Sequence, residues 1–96
     1  MGQTFIVWDP RKSERNKRKH RVDFAEAATV FRDPLLRVMP DLEHSQEEER
    51  WLALGKSVAQ SLLVVVHTEN ENRIRIISAR KAEPKERRQY EETRGC

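Results

Sequence analysis

A chain of 96 residues whose single cysteine, Cys96, stands at the last position has room for one modest hydrophobic core and excludes a disulfide framework or thiolate zinc site built within one chain. Charged and apolar residues each make up 36% of the sequence, and the apolar ones fall in periodic stretches, which argues against a disordered polymer. No apolar run approaches the roughly 18 residues of a membrane span, and residues 1–8 lack the charged and apolar regions of a secretory signal. A single domain over residues 1–96, soluble and cytoplasmic, is the expectation.

The net charge of +3 conceals an uneven distribution. Residues 1–34 hold eight Lys/Arg against five Asp/Glu and residues 61–96 hold eight against six, whereas residues 35–60 hold three against five. Two basic ends around an acidic waist are compatible with a polyanionic partner such as nucleic acid. In chain order, "TFIVWD" is β-branched and aromatic, so Thr4 to Trp8 reads as a strand. Asp9 suits an N-cap and Pro10 a first helical position, which predicts a helix from Pro10 to about His20 that is polar all round. Asp23, with Glu26 three residues on, resembles a capping box opening a second helix through Phe31, with Phe24, Ala27, Ala28 and Phe31 on its buried face. Asp33-Pro34 closes it, Leu35 to Val38 forms a short strand, and Met39 to Glu49 is an acidic connection.

The runs "RWLALGKS", "SLLVVVHTE" and "RIRIISAR", separated by short polar breaks, predict an antiparallel meander with "TENENR" as the second turn. Glu83 to about Tyr90 or Glu92 reads as a closing helix with Pro84 in its first turn. The order β, α, α, strands, α indicates an α+β fold: an antiparallel sheet of about four strands, two N-terminal helices and one C-terminal helix, the helices segregated onto one side.

Several of these stretches carry a resemblance. "WDPRK" followed by Asn16, "KH" at Lys19-His20, "VDFAEAATVFRDP", "HS" at His44-Ser45, "EERW", "RIRIISARKA", Glu86 and Tyr90 together resemble the BrnT-type toxins of bacterial type II toxin-antitoxin modules. They occur in family order and spacing over nearly the whole chain. The resemblance implies a RelE-like fold, a ribonuclease activity that stops growth, and a cognate BrnA-type antitoxin. It further implies that the antitoxin binds DNA, so that the complex, unlike the free toxin, contacts operator DNA.

Cleaving RNA without a metal requires a base for the 2′-hydroxyl, an acid for the leaving 5′-oxygen, and fixed cations for the phosphoryl oxygens. At about 100° per residue, Lys12, Asn16, Lys19 and His20 fall within roughly a third of the first helix's circumference. With Arg11 beside them, they form the expected RNA-binding face, and phosphate binding would give an all-polar helix a reason to persist. His20, with an ordinary pKa nearest neutrality, is the candidate for proton transfer; a capping role is the alternative. Arg80 leaves its strand where a guanidinium can be aimed at phosphate, or can pair with Glu83 or Glu86. Arg73 and Arg75, on the opposite face of that strand by simple alternation, are further RNA contacts. Tyr90, the third catalytic candidate, is either a core ring or a hydroxyl within reach of substrate.

Metal chemistry has little support, because His20, His44 and His67 are scattered and only Asp41, Glu43 and His44 lie close in sequence. No metal or other cofactor is expected. Trp8 and Trp51 suit the core better than base stacking. The competing class is a non-catalytic nucleic-acid- or protein-binding module that uses the same basic face.

Overall fold

The computed structural model describes residues 3–43 and 48–94. Its elements are β1 (Phe5–Val7), α1 (Pro10–His20), α2 (Phe24–Ala28), a 3-10 turn (Thr29–Arg32), β2 (Arg37–Pro40), β3 (Trp51–Lys56), β4 (Leu62–Asn70), β5 (Arg73–Lys81) and α3 (Pro84–Arg94). The α+β class stands, but the sheet has five strands in the order β1-β5-β4-β3-β2 and is mixed. The pairs β2–β3, β3–β4 and β4–β5 are antiparallel, whereas β1 pairs parallel with β5, Ile6 opposite Ile74. A parallel pairing between the first and last strands depends on the intervening crossover, and that is invisible in local patterns.

Local chemistry sets the ends of the helices. The Asp9 carboxylate accepts the Arg11 N–H at 2.9 Å, Pro10 occupies the first turn, and Arg21, at φ 63°, ends α1 by donating its N–H to the Lys17 carbonyl. Asp23 likewise caps α2 through the Glu26 N–H at 2.8 Å. The Glu26 carboxylate does not complete a capping box; it accepts from Ser57 Oγ at 2.7 Å and ties α2 to the β3–β4 loop. The second helix also stops sooner than its apolar pattern predicts. Thr29 Oγ1 donates to the Glu26 carbonyl (2.7 Å) and accepts the Val58 N–H (3.0 Å), which tightens the chain into the 3-10 turn.

Both faces of the sheet are apolar at its centre, so β4 reads as the continuous run "LLVVV". On one face Val22, Phe24, Ala27 and Val30 pack on Ala53, Leu63, Val65, Ile76 and Ala79. On the other, Leu54, Leu62 and Val64 pack with Tyr90 from α3. Helices therefore lie on both sides, not on one. Gly55 is where β3 meets the first layer: a Cβ there would stand 2.9 Å from Leu36 Cδ1 and 3.3 Å from the Val30 carbonyl oxygen.

A β-bulge changes what β5 displays. Val66 faces Ser78 but His67 faces Ile76, so Ile77 has no partner. The extra residue reverses the alternation, and Ile76 and Ala79 enter the same core although three positions apart. Arg75, opposite Thr68, thereby falls on the same face as Arg80, opposite Val64, and Arg73 follows Arg75. The expectation that Arg73 and Arg75 lie across the strand from Arg80 is corrected by this one inserted residue.

Candidate functional site

Asn16 determines how α1 presents its charges. Its side chain is buried: Nδ2 donates to the carbonyl oxygens of Val22 (2.7 Å) and Ala79 (2.8 Å), and Oδ1 accepts the Ala79 N–H at 3.2 Å. β1 pairs with β5 only at residues 73–75, so the Asn16 amide takes the place of a neighbouring strand farther along that edge. The Ser13 hydroxyl adds a second anchor by accepting the Phe24 N–H at 2.8 Å. This polar helix persists because two side chains satisfy buried backbone groups. Asn16, expected on the RNA-binding face, here commits its amide to backbone groups inside the fold.

With Asn16 facing inward, Lys12 and Lys19 lie on one flank of the buried stripe, and Ser13 and His20 lie on the other, each roughly 40–60° away around the helix. Lys12 and Lys19 are exposed and His20 is half-buried. The outermost positions are Arg11, Glu14, Arg15 and Arg18, which line one shallow groove with Pro10; Glu14, Lys17, Arg18 and Arg21 line a second. Arg11 approaches Asp9 at 3.7 Å with its side chain 90% exposed. The Asp9 carboxyl is held below its usual range chiefly by the Arg11 N–H bond. Lys12, Arg15, Lys17, Arg18, Lys19 and Arg21 make no ion pair among the described residues.

Arg80 is engaged. Its Nη1 and Nη2 donate to the two carboxylate oxygens of Glu86 at 2.8 and 2.7 Å, and Glu83 lies 3.8 Å away. The Glu86 hydrogen bond raises the guanidinium's affinity for its proton further and, against desolvation, holds the Glu86 carboxyl below its usual range. One Glu86 oxygen also accepts the Glu83 N–H at 2.8 Å and so fastens the start of α3. Arg75 pairs with Glu48 at 2.6 Å, whereas Arg73 is exposed beside Phe5, Asn70 and Asn72 in a small groove at the β4–β5 turn.

Tyr90 is 3% exposed, and its hydroxyl donates to Asp33 Oδ2 at 2.6 Å. The same carboxylate accepts the Lys56 N–H (2.8 Å) and the Leu35 N–H (2.9 Å). Desolvation pushes Asp33 up, but these three donors outweigh it and hold the group below its usual range. Tyr90 is thus a buried link between α3, β3 and the end of the 3-10 turn, the core position that was one of its two expected readings. Asp33 was missed in that role because an Asp-Pro pair signals only a helix end.

His67 is fully buried, its Nε2 3.1 Å from Glu69 Oε1 and its ring edge-on to Phe31 at 5.1 Å. His44 and Ser45 lie outside the described residues, and Asp41 is buried. Among the described residues no three His, Cys, Asp or Glu side chains converge as a metal would require. No helix is long and apolar enough to cross a membrane.

The model of the ribonuclease toxins BrnT of type II toxin-antitoxin systems matches residues 8–86. This chain belongs to the BrnT family. That span runs from Trp8, before α1, to Glu86, the partner of Arg80, and so takes in both cationic regions. The 1.1 Å crystal structure of the Brucella abortus ribonuclease toxin BrnT is 24% identical, with a TM-score of 0.64 over 84% of this chain and 99% of that one. It supports the BrnT fold. No curated protein sequence matches.

Proposed function

We propose that this BrnT family member is a metal-independent endoribonuclease that cleaves cellular RNA in the cytoplasm, inhibits translation and growth, and is neutralised by a DNA-binding antitoxin of the BrnA type. The family match over residues 8–86 carries this reading, and the unpaired cations of α1 suit a polyanionic substrate.

Arg11, Lys12 and Lys19 gather the RNA backbone, with Arg73 and Arg75 as further phosphate contacts. His20, half-buried at the end of α1, is the proton-transfer group: as base it takes the 2′-hydroxyl proton, the O2′–P bond forms as the P–O5′ bond breaks, and the departing 5′-oxygen takes a proton from solvent water. Arg80 stabilises the phosphoryl oxygens. Glu86 fixes its guanidinium plane, and among the described residues Nε and one Nη2 proton have no partner and are left to donate. Tyr90 serves this site indirectly, by seating the helix that carries Glu86.

Induced expression of the intact chain should arrest bacterial growth, and His20→Ala with Arg80→Ala should abolish the arrest. RNA products should end in a cyclic or 3′-phosphate and should form in the presence of EDTA. Growth arrest that persists in the double variant would remove these residues from the chemistry. The binding-module alternative draws on the internal engagement of Arg80 and Tyr90; RNA binding without any product would favour it.

A further inference from the structure

The outward cations of α1 have no counterpart in what folding requires. Basic residues in the last turn, Lys17 to His20, favour the negative end of the helix dipole, but no acidic residue occupies the first turn, where Arg11 and Lys12 have the wrong sign. Arg11, Arg15 and Arg18 follow one another at spacings of four and three, which makes them neighbours of like charge. Only Glu14 interrupts them. The arrangement weakens the free helix; Asp9 at the N-cap offsets Arg11 in part, at 3.7 Å, but Arg15 and Arg18 have no ion pair among the described residues.

We infer that this outward row, with Arg15 and Arg18 at its centre, is a phosphate-backbone track that holds single-stranded RNA irrespective of sequence. It extends outward from the flank that carries Lys12 and Lys19, with Arg15 roughly 40–60° from them around the helix. The groove there is shallow, and among the described residues Pro10 alone lines it with an apolar side chain. No aromatic anchor of the kind that concentrates binding energy in protein interfaces lines it among the described residues. Guanidinium forks on a rigid helix instead match phosphate oxygens, and their affinity comes from counterion release.

The inference relies on the ribonuclease reading only for the choice of RNA as ligand, and its test requires no cleavage. Binding of a labelled uridine homopolymer to the full chain would be titrated from about 50 to about 200 mM salt. Arg15→Gln with Arg18→Gln should reduce the salt slope by about 1.4 units, the amount for two lost contacts on a single strand. Lys85→Gln with Arg88→Gln, which removes equal charge from exposed positions on α3, should leave the slope intact. The α1 variant should also unfold at equal or higher urea concentration than the parent, since it relieves repulsion. Equal losses in both variants would reduce the effect to net charge and overturn the track, as would an unchanged slope in the first. Weakened antitoxin capture with unchanged RNA binding would assign the face to the protein partner and overturn it as well. A chain that binds RNA through this face but never cleaves it would leave the track standing and remove the ribonuclease proposal.

Discussion

Asn16→Ala separates a helix held by its substrate from a helix held by its own fold. The substitution removes three hydrogen bonds and strands the Ala79 N–H, the Ala79 carbonyl and the Val22 carbonyl in a buried setting. Each such bond contributes about 1 kcal/mol net, and an abandoned buried partner costs about 1–3 kcal/mol. Partial re-solvation keeps the sum near 3–4 kcal/mol, against a total stability of about 5–14 kcal/mol expected for this length. Because α1 has no apolar stripe and spans only 11 residues, it should fray once detached, since isolated helices shorter than about 12–15 residues are marginal. Urea unfolding followed by circular dichroism measures the loss, and hydrogen exchange at the Ala79 amide reports its site. Asn16→Asp should be at least as damaging, because it sets a carboxylate oxygen against the Val22 and Ala79 carbonyls. A loss below about 1 kcal/mol, or an Ala79 amide as protected as in the parent, would refute the anchoring argument.

Acid sensitivity follows from Asp33 and Glu86, whose folded-state pKa values are lowered from ordinary values of 3.8 and 4.5. The unfolded chain binds protons first, so their stabilisation is complete above those ordinary values and is lost as pH falls through the lowered ones; Glu86→Gln should flatten stability against pH in that window. Tyr90→Phe deletes one donor to Asp33 while keeping the ring, and should cost about 1–2 kcal/mol in urea unfolding and weaken the acid-side protection of Asp33. Gln60, at φ 66° in the β3–β4 loop, occupies the left-handed region, so Gln60→Gly should stabilise by about 0.5 kcal/mol, the relief of strain exceeding the added freedom of the unfolded chain; a lowered urea midpoint would contradict this.

Elements whose signals are local were legible in the sequence. Asp9-Pro10 and Asp23 open helices through caps that need only two or three neighbouring residues. The alternating and apolar runs of β3 to β5 specify strands because burial on one face imposes a period of two and burial on both faces a continuous apolar run. The BrnT motifs were legible for the same reason: residue identity at fixed spacing requires no knowledge of the partner element.

Tertiary structure alone decided which groups remain available for function. Asn16 shares its helical face with Lys12, Lys19 and His20, but its partner is an open stretch of β5 edge 63 residues away, and nothing local to either segment announces that edge. Arg73 and Arg75 join Arg80 on one face because a single unpaired residue, Ile77, reverses the side-chain alternation, and a bulge is a property of register between two strands, not of either strand alone. Tyr90 is withdrawn from solvent by a carboxylate 57 positions earlier in the chain. Charge patterning supplied the candidates, whereas long-range hydrogen bonds selected among them, because a buried polar group must find a partner wherever the fold provides one.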